Sequence, residues 1–116
     1  MEFRWNVFLA NLDPVIGSEQ GKTRPVIIVS DEGVNQLLSA VNALPITSRK
    51  GHRKIYPNEV LLNAGIAGLI RESIVLCQQI RTLDKKRLIK HLGIISDGTT
   101  RDGILEALSF QLGTKR

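Results

Sequence analysis

The chain has one cysteine, two histidines, only 4% aromatic residues and no long hydrophobic run, and each of these shortages closes a class of function. Cys77 cannot form an internal disulfide, and its place in the apolar run Ser73–Cys77 predicts burial over reactivity. One cysteine, two histidines and scattered carboxylates make neither a zinc site nor a Ser/His/Asp or Cys/His triad, so neither metal nor cofactor is expected. The scarcity of aromatics argues against a base-stacking platform of the RRM type; Trp5, Phe3 and Phe8 are expected to pack in the core or against a second copy of the chain. No window approaches the roughly 18 apolar residues of a membrane span. Glu2 and Arg4 interrupt the start, where a signal peptide would be apolar, so the expected location is cytoplasmic, away from membranes. Gly17 and Gly21 bracket Ser18-Glu19-Gln20 without a following Lys-Ser/Thr pair, which excludes a nucleotide-binding loop of the usual spacing.

What is present suits one small domain over residues 1–116: 42% apolar residues, no repeat, no linker and no low-complexity tract. Trp5–Leu12 alternates apolar and polar residues up to the Asp13-Pro14 turn, and Val15–Thr23 reads as a polar loop. The β-branched run Pro25–Val29 predicts a central strand buried on both faces. A capping Asp31 before one helical turn over Val34–Leu38, a strand at Ala40–Leu44, and strands at Glu59–Leu62 and Ile74–Cys77 follow, the last two separated by a Gly65–Gly68 turn. Thr82–Lys85 reads as the cap and first turn of a short helix through Lys90, which places His91 at a helix end. Ile104, Leu105, Leu108 and Leu112 recur at helical spacing behind Asp102 and predict a C-terminal amphipathic helix. The pattern is mainly β with short helices, and many short strands favour a small barrel with a C-terminal helix over a doubly wound sheet.

The formal net charge is +5, and Arg49, Lys50, Arg53 and Lys54 fall within six residues around His52. A run of this kind is either a solvated loop or a loop that tracks phosphates. If the ligand is RNA, cleavage needs no external nucleophile, because the ribose 2′-hydroxyl can attack the adjacent phosphorus once its proton is lost and the developing charge is stabilised. Arg24 stands where a polar loop meets the stiff Pro25–Val29 run, a position from which its guanidinium could fork to phosphate oxygens or close a surface salt bridge. Thr47 and Ser48 offer hydroxyls at a second strand end, to a phosphoryl oxygen or to a turn. His52, between Gly51 and Arg53, is badly placed for a rigidly held base and reads at most as a phosphate neighbour. Gln78 and Gln79 close a strand, where their amides could read a base edge or face solvent.

The segments Asn11–Gly21, Thr23–Ser30, Pro45–Ser48, Ser73–Leu76 and Gln79–Lys85, in this order and spacing, resemble the MazF/PemK family of toxins along nearly the whole chain. The resemblance implies an SH3-like barrel forming a homodimer around the first loop and neighbouring strands. It also implies a metal-independent endoribonuclease of single-stranded RNA that leaves 2′,3′-cyclic phosphate and 5′-hydroxyl ends and is inhibited by a MazE-like antitoxin. By the same resemblance Arg24 and Thr47 are catalytic, Ser18, Glu19 and Gln20 lie in the RNA-lined loop, and Ser73 and Gln79 are base-reading candidates. An acidic antitoxin segment would lie across Arg24 and the Arg49–Lys54 loop. Trp5-Asn6 stands where the family usually has Gly-Asp, and Gln78 where many members have Glu; the second change predicts a shift in base preference. CcdB-like toxins of similar fold bind DNA gyrase instead, through a C-terminal tryptophan, whereas this chain ends Gly113-Thr114-Lys115-Arg116. A catalytically inactive RNA-binding homologue is the third reading.

Overall fold

The computed structural model describes residues 1–114; Lys115 and Arg116 lie outside the described part. Among the described residues seven strands and two α-helices follow one another: β1 (Asn6–Asn11), β2 (Thr23–Ile28), α1 (Glu32–Leu37), β3 (Ala40–Ser48), β4 (Glu59–Leu62), β5 (Ser73–Leu76), β6 (Arg81–Asp84), β7 (Leu88–Ile94) and α2 (Gly98–Leu112). The sheet is antiparallel, in the order β4-β5-β3-β2-β1-β7, with β6 paired to the first half of β3. Its outer strands β4 and β7 do not pair with each other, so the sheet is coiled but open.

The two-sided burial expected of Pro25–Val29 is what the strand alternation produces. Ile27 and Val29 face one core, with Val7, Leu44 and Ile46 and with Ile104 and Ala107 of α2. Val26 and Ile28 face the other, with Phe8, Ala10, Val41 and Leu83. Pro25 is tolerated because it precedes Val26, the first β2 residue paired with β3. Asp31 caps α1 by accepting from the Gly33 and Val34 N–H groups. Glu32 then ties the N-terminus to α1, accepting from the Phe3 and Arg4 N–H groups at 3.0 and 2.8 Å. Burial opposes its ionisation, but these bonds and those from Gln36 and Asn35 outweigh it and bring the pKa down to about 2.

One helical expectation is corrected. Thr82–Lys90 is not a helix: β6 pairs with β3, a single 3-10 turn at Lys85–Arg87 follows, and β7 runs along β1. Asp84 does cap, accepting from the Lys86 N–H, but the ladder to β1 takes the chain back to a strand after that one turn. His91 therefore sits mid-strand, its Nε2 2.7 Å from Asn6 Oδ1 and its ring edge-on to Phe8. The C-terminal helix is present and starts ahead of Asp102, capped by Asp97, and it buries Ile104 and Ala107 while Leu105 and Leu112 stay exposed.

Trp5 has a φ of 66°, a left-handed conformation that costs a non-glycine residue about 1–2 kcal/mol. Burial of the indole offsets this: Trp5 is 7% exposed, with the guanidinium carbons of Arg4 and Arg101 5.2 and 5.5 Å from its ring centroid. Its backbone is held on both sides, the N–H donating to Ile28 O and the carbonyl accepting from the Ile95 N–H.

Candidate active site

β3 pairs with β2 as far as Val26↔Pro45 and then continues against β5, with Thr47 opposite Ile74 and Ser48 opposite Ser73. Pro25 and Pro45 lack ladder N–H groups at the point where the strands part. Continuing the β2–β3 register by two residues brings Arg24 level with Thr47. A cleft of about 370 Å³ opens there, and Thr23, Arg24, Thr47, Ser48, Arg71 and Ser73 are its polar lining. One wall is delivered by a close backbone approach: a Cβ on Gly68 would lie 2.3 Å from the Leu92 carbonyl oxygen, so only glycine lets the Ile66–Gly68 turn sit on β7 and carry Leu69–Arg71 to the cleft.

Arg24 is half-buried, and its Nε donates to Gly21 O at 3.0 Å. Among the described residues it forms no ion pair; the two such pairs are Arg49–Glu72 and Arg53–Glu59. The surface salt bridge left open by the sequence is thus not made. Arg24, Thr47, Ser48 and Ser73 share one cleft although they are far apart in sequence. Ser73 Oγ donates to Arg71 O at 2.8 Å. Arg71 is a cleft residue that sequence reasoning missed, since nothing local distinguishes it from any arginine ahead of a strand.

The basic loop divides. Arg49 pairs with Glu72 at 3.1 Å and donates through Nε to Arg53 O. Arg53 grips Glu59 with both Nη atoms, each at 2.8 Å. That bidentate bond holds Glu59 ionised against the cost of burial and, with Gln78 Nε2 and the Tyr56 N–H also donating, brings its pKa to about 2. Lys50, His52 and Lys54 remain exposed beside the cleft residue Ser48 but do not line the cleft.

Gln78 and Gln79 lie in a 3-10 turn, Cys77–Gln79, and neither is the solvent-facing strand residue the sequence suggests. The Gln78 amide is committed to Glu59 and its Oε1 is shielded from solvent without a partner. Gln79 meets the first loop: its Oε1 accepts from the Gln20 N–H at 3.2 Å and its Nε2 donates to Ser18 O at 3.3 Å. A second, polar concavity of about 450 Å³ includes Ser18, Glu19, Gln78, Gln79, Arg81 and Thr82. Cys77 is buried, and burial pushes its thiol up to about 12. Among the described residues no group of three or more His, Cys, Asp or Glu is arranged to hold a metal, and no helix is long and apolar enough to cross a membrane.

Comparison with known proteins bears on this arrangement. The family model described as PemK-like, MazF-like toxin of type II toxin-antitoxin system matches residues 3–111. The chain is 39% identical over 110 residues to a protein of Staphylococcus saprophyticus subsp. saprophyticus named Endoribonuclease MazF, covering 95% of this chain and 90% of that one. Among solved structures it is similar to MazF from Deinococcus radiodurans, with a TM-score of 0.80 at 29% identity over 96% of each chain. A MazE-MazF structure from the same organism matches with a TM-score of 0.74 at 27% identity, over 97% of this chain and 96% of that one.

Proposed function

The chain belongs to the PemK-like, MazF-like toxins of type II toxin-antitoxin systems, and on that footing we propose that it is an endoribonuclease that cuts single-stranded RNA in the Arg24–Thr47 cleft. The observation that carries this reading is an arginine without an ion-pair partner, held through its Nε at the mouth of a cleft that also presents the Thr47 and Ser48 hydroxyls. In the proposed step the ribose 2′-oxygen bonds to the neighbouring phosphorus and the bond from phosphorus to the 5′-oxygen breaks. The 2′-hydroxyl proton passes to water and the departing 5′-oxygen gains one, leaving a 2′,3′-cyclic phosphate and a 5′-hydroxyl. Arg24 stabilises the charge that grows on the non-bridging oxygens, and Thr47 donates to one of them. Among the described residues no histidine or carboxylate lines the cleft, so the acceleration rests on positioning and charge stabilisation.

The same reading makes the chain a single-domain, cytoplasmic toxin that acts as a homodimer and is silenced by a MazE-like antitoxin. An acidic antitoxin segment suits a cleft lined by Arg24 and Arg71, and Lys50 and Lys54 of the loop after β3 are exposed to receive it as well. Gyrase binding through a terminal tryptophan does not fit, because the only tryptophan, Trp5, is buried near the other end of the chain. The test incubates wild-type and Arg24→Ala protein with a long single-stranded RNA in excess chelator and maps the fragment ends. Discrete cuts with 5′-hydroxyl ends from the wild type alone are expected. Intact RNA, or cuts that persist in Arg24→Ala, would overturn the assignment.

A further inference from the structure

Apart from the buried Leu12, the segment from residue 12 to 22 has little core of its own, with Ile16 83% exposed, and yet its backbone is held at both ends by side chains from the Cys77–Gln79 turn and from β6. Gln79 takes two of its groups, the Gln20 N–H and the Ser18 carbonyl. Arg81, at the start of β6, takes two more through Nη1, donating to Leu12 O at 3.1 Å and Gln20 O at 3.4 Å. Across the loop, the Leu12 N–H donates to Lys22 O and the Lys22 N–H to Asp13 Oδ1, both at 2.8 Å. Gly21 lies between the fixed residues Gln20 and Lys22 and has no room for a side chain: a Cβ there would meet Asp13 Oδ1 at 2.7 Å. It is the carbonyl of Gly21 that receives Arg24 Nε. The position of the Arg24 guanidinium is therefore set by a carbonyl whose own place depends on Gln79 and Arg81.

We propose that Gln79 and Arg81 are positioning residues, which hold the 12–22 loop so that the Gly21 carbonyl orients Arg24 for the reaction, and that Gln79 does not read a base. The inference rests on the endoribonuclease reading above. It differs from base reading in a checkable way, because the Gln79 amide gives one lone pair of Oε1 and one proton of Nε2 to loop backbone, so its loss should act through the loop on the rate and not on which sites are cut.

The experiment measures single-turnover cleavage, KM and the map of cut sites for wild type, Gln79→Ala, Gln79→Glu and Arg81→Ala, with amide exchange of the loop in each. Gln79→Glu keeps an acceptor for the Gln20 N–H but loses the donor to Ser18 O, so it serves as the intermediate case and as the safeguard if Ala at 79 or 81 disturbs folding. Expected are a rate about 10- to 100-fold lower at every site for the two Ala variants, a smaller loss for Gln79→Glu, an unchanged site map and KM, and faster exchange of the Gln20 amide. A changed site map, or a KM effect at unchanged rate, would make Gln79 a base reader and overturn the proposal. Wild-type rates in all three variants would overturn it too, with the nuclease intact. Absence of cleavage by the wild type would instead remove the endoribonuclease reading and this inference with it.

Discussion

Two arginine-bearing regions of this protein look alike in composition and differ in what their charges are free to do. The loop after β3 concentrates cations, yet Arg49 and Arg53 are spent on Glu72 and Glu59, and the Arg53–Glu59 pair joins that loop to β4 through a carboxylate whose side chain is 1% exposed. The start of β2 carries the single cation Arg24, whose side chain, among the described residues, bonds only a backbone carbonyl through Nε, which leaves the forked Nη end to the cleft. Local charge density therefore says less about anion binding than the presence or absence of a nearby carboxylate does. In the first region arginine builds structure, and in the second it is available to substrate.

Substitutions can break or sharpen that contrast. The largest effect is expected from Arg24→Ala: a loss of about 100- to 1,000-fold in cleavage rate, with little change in melting temperature because no ion pair is lost. Glu59→Gln should do the reverse, destabilising the fold by about 1.5–2 kcal/mol in denaturant titration because Arg53 loses its bidentate partner but stays partly solvated, while the folded fraction cleaves at close to the wild-type rate. Thr47→Val, which keeps the shape and removes the hydroxyl, should slow single-turnover cleavage about tenfold, and Thr47→Ser should restore most of it. The smallest effect is a pH trend. Glu59 and Glu32 have folded-state pKa values near 2 against an ordinary 4.5, so the stability they provide is fully present above about pH 4.5 and is lost as the pH falls toward 2. Thermal melts across that range should show the decline, and Glu59→Gln should flatten it without abolishing the part due to Glu32.

Much of the fold was legible because it depends on local patterns: the doubly buried β2, the cap at Asp31, and strands β1, β3, β4 and β5 each follow from alternation or from a β-branched run. What was not legible depended on distant partners. Leu88–Lys90 follows a turn rich in lysine and arginine and reads as the end of a helix, and it becomes the start of strand β7 because β1 offers it a ladder. The same holds at the site. Arg24 and Thr47 were visible as residues at strand ends, and family resemblance singled them out, but their common cleft arises from β3 changing partners, which no local window contains. Arg71 and Arg81 gain their places only through the Gly68–Leu92 approach and the reach across to Leu12. The bonds from Gln79 to the 12–22 loop were not legible either, since its partners are some sixty residues earlier in the chain.

Trp5 gives the molecule an optical property that nothing in its chemistry requires. It is the only tryptophan, and its indole is enclosed by Arg4 from the N-terminal segment and Arg101 from the first turns of α2. Tryptophan emission from this protein therefore has a single address, at the seam between the sheet and the C-terminal helix. Release of that helix would wet the indole and shift its emission to the red. The cleft takes Leu9 from β1 and does not include Trp5, so fluorescence can follow the integrity of the scaffold while gel assays follow the fate of the RNA, each with a signal of its own.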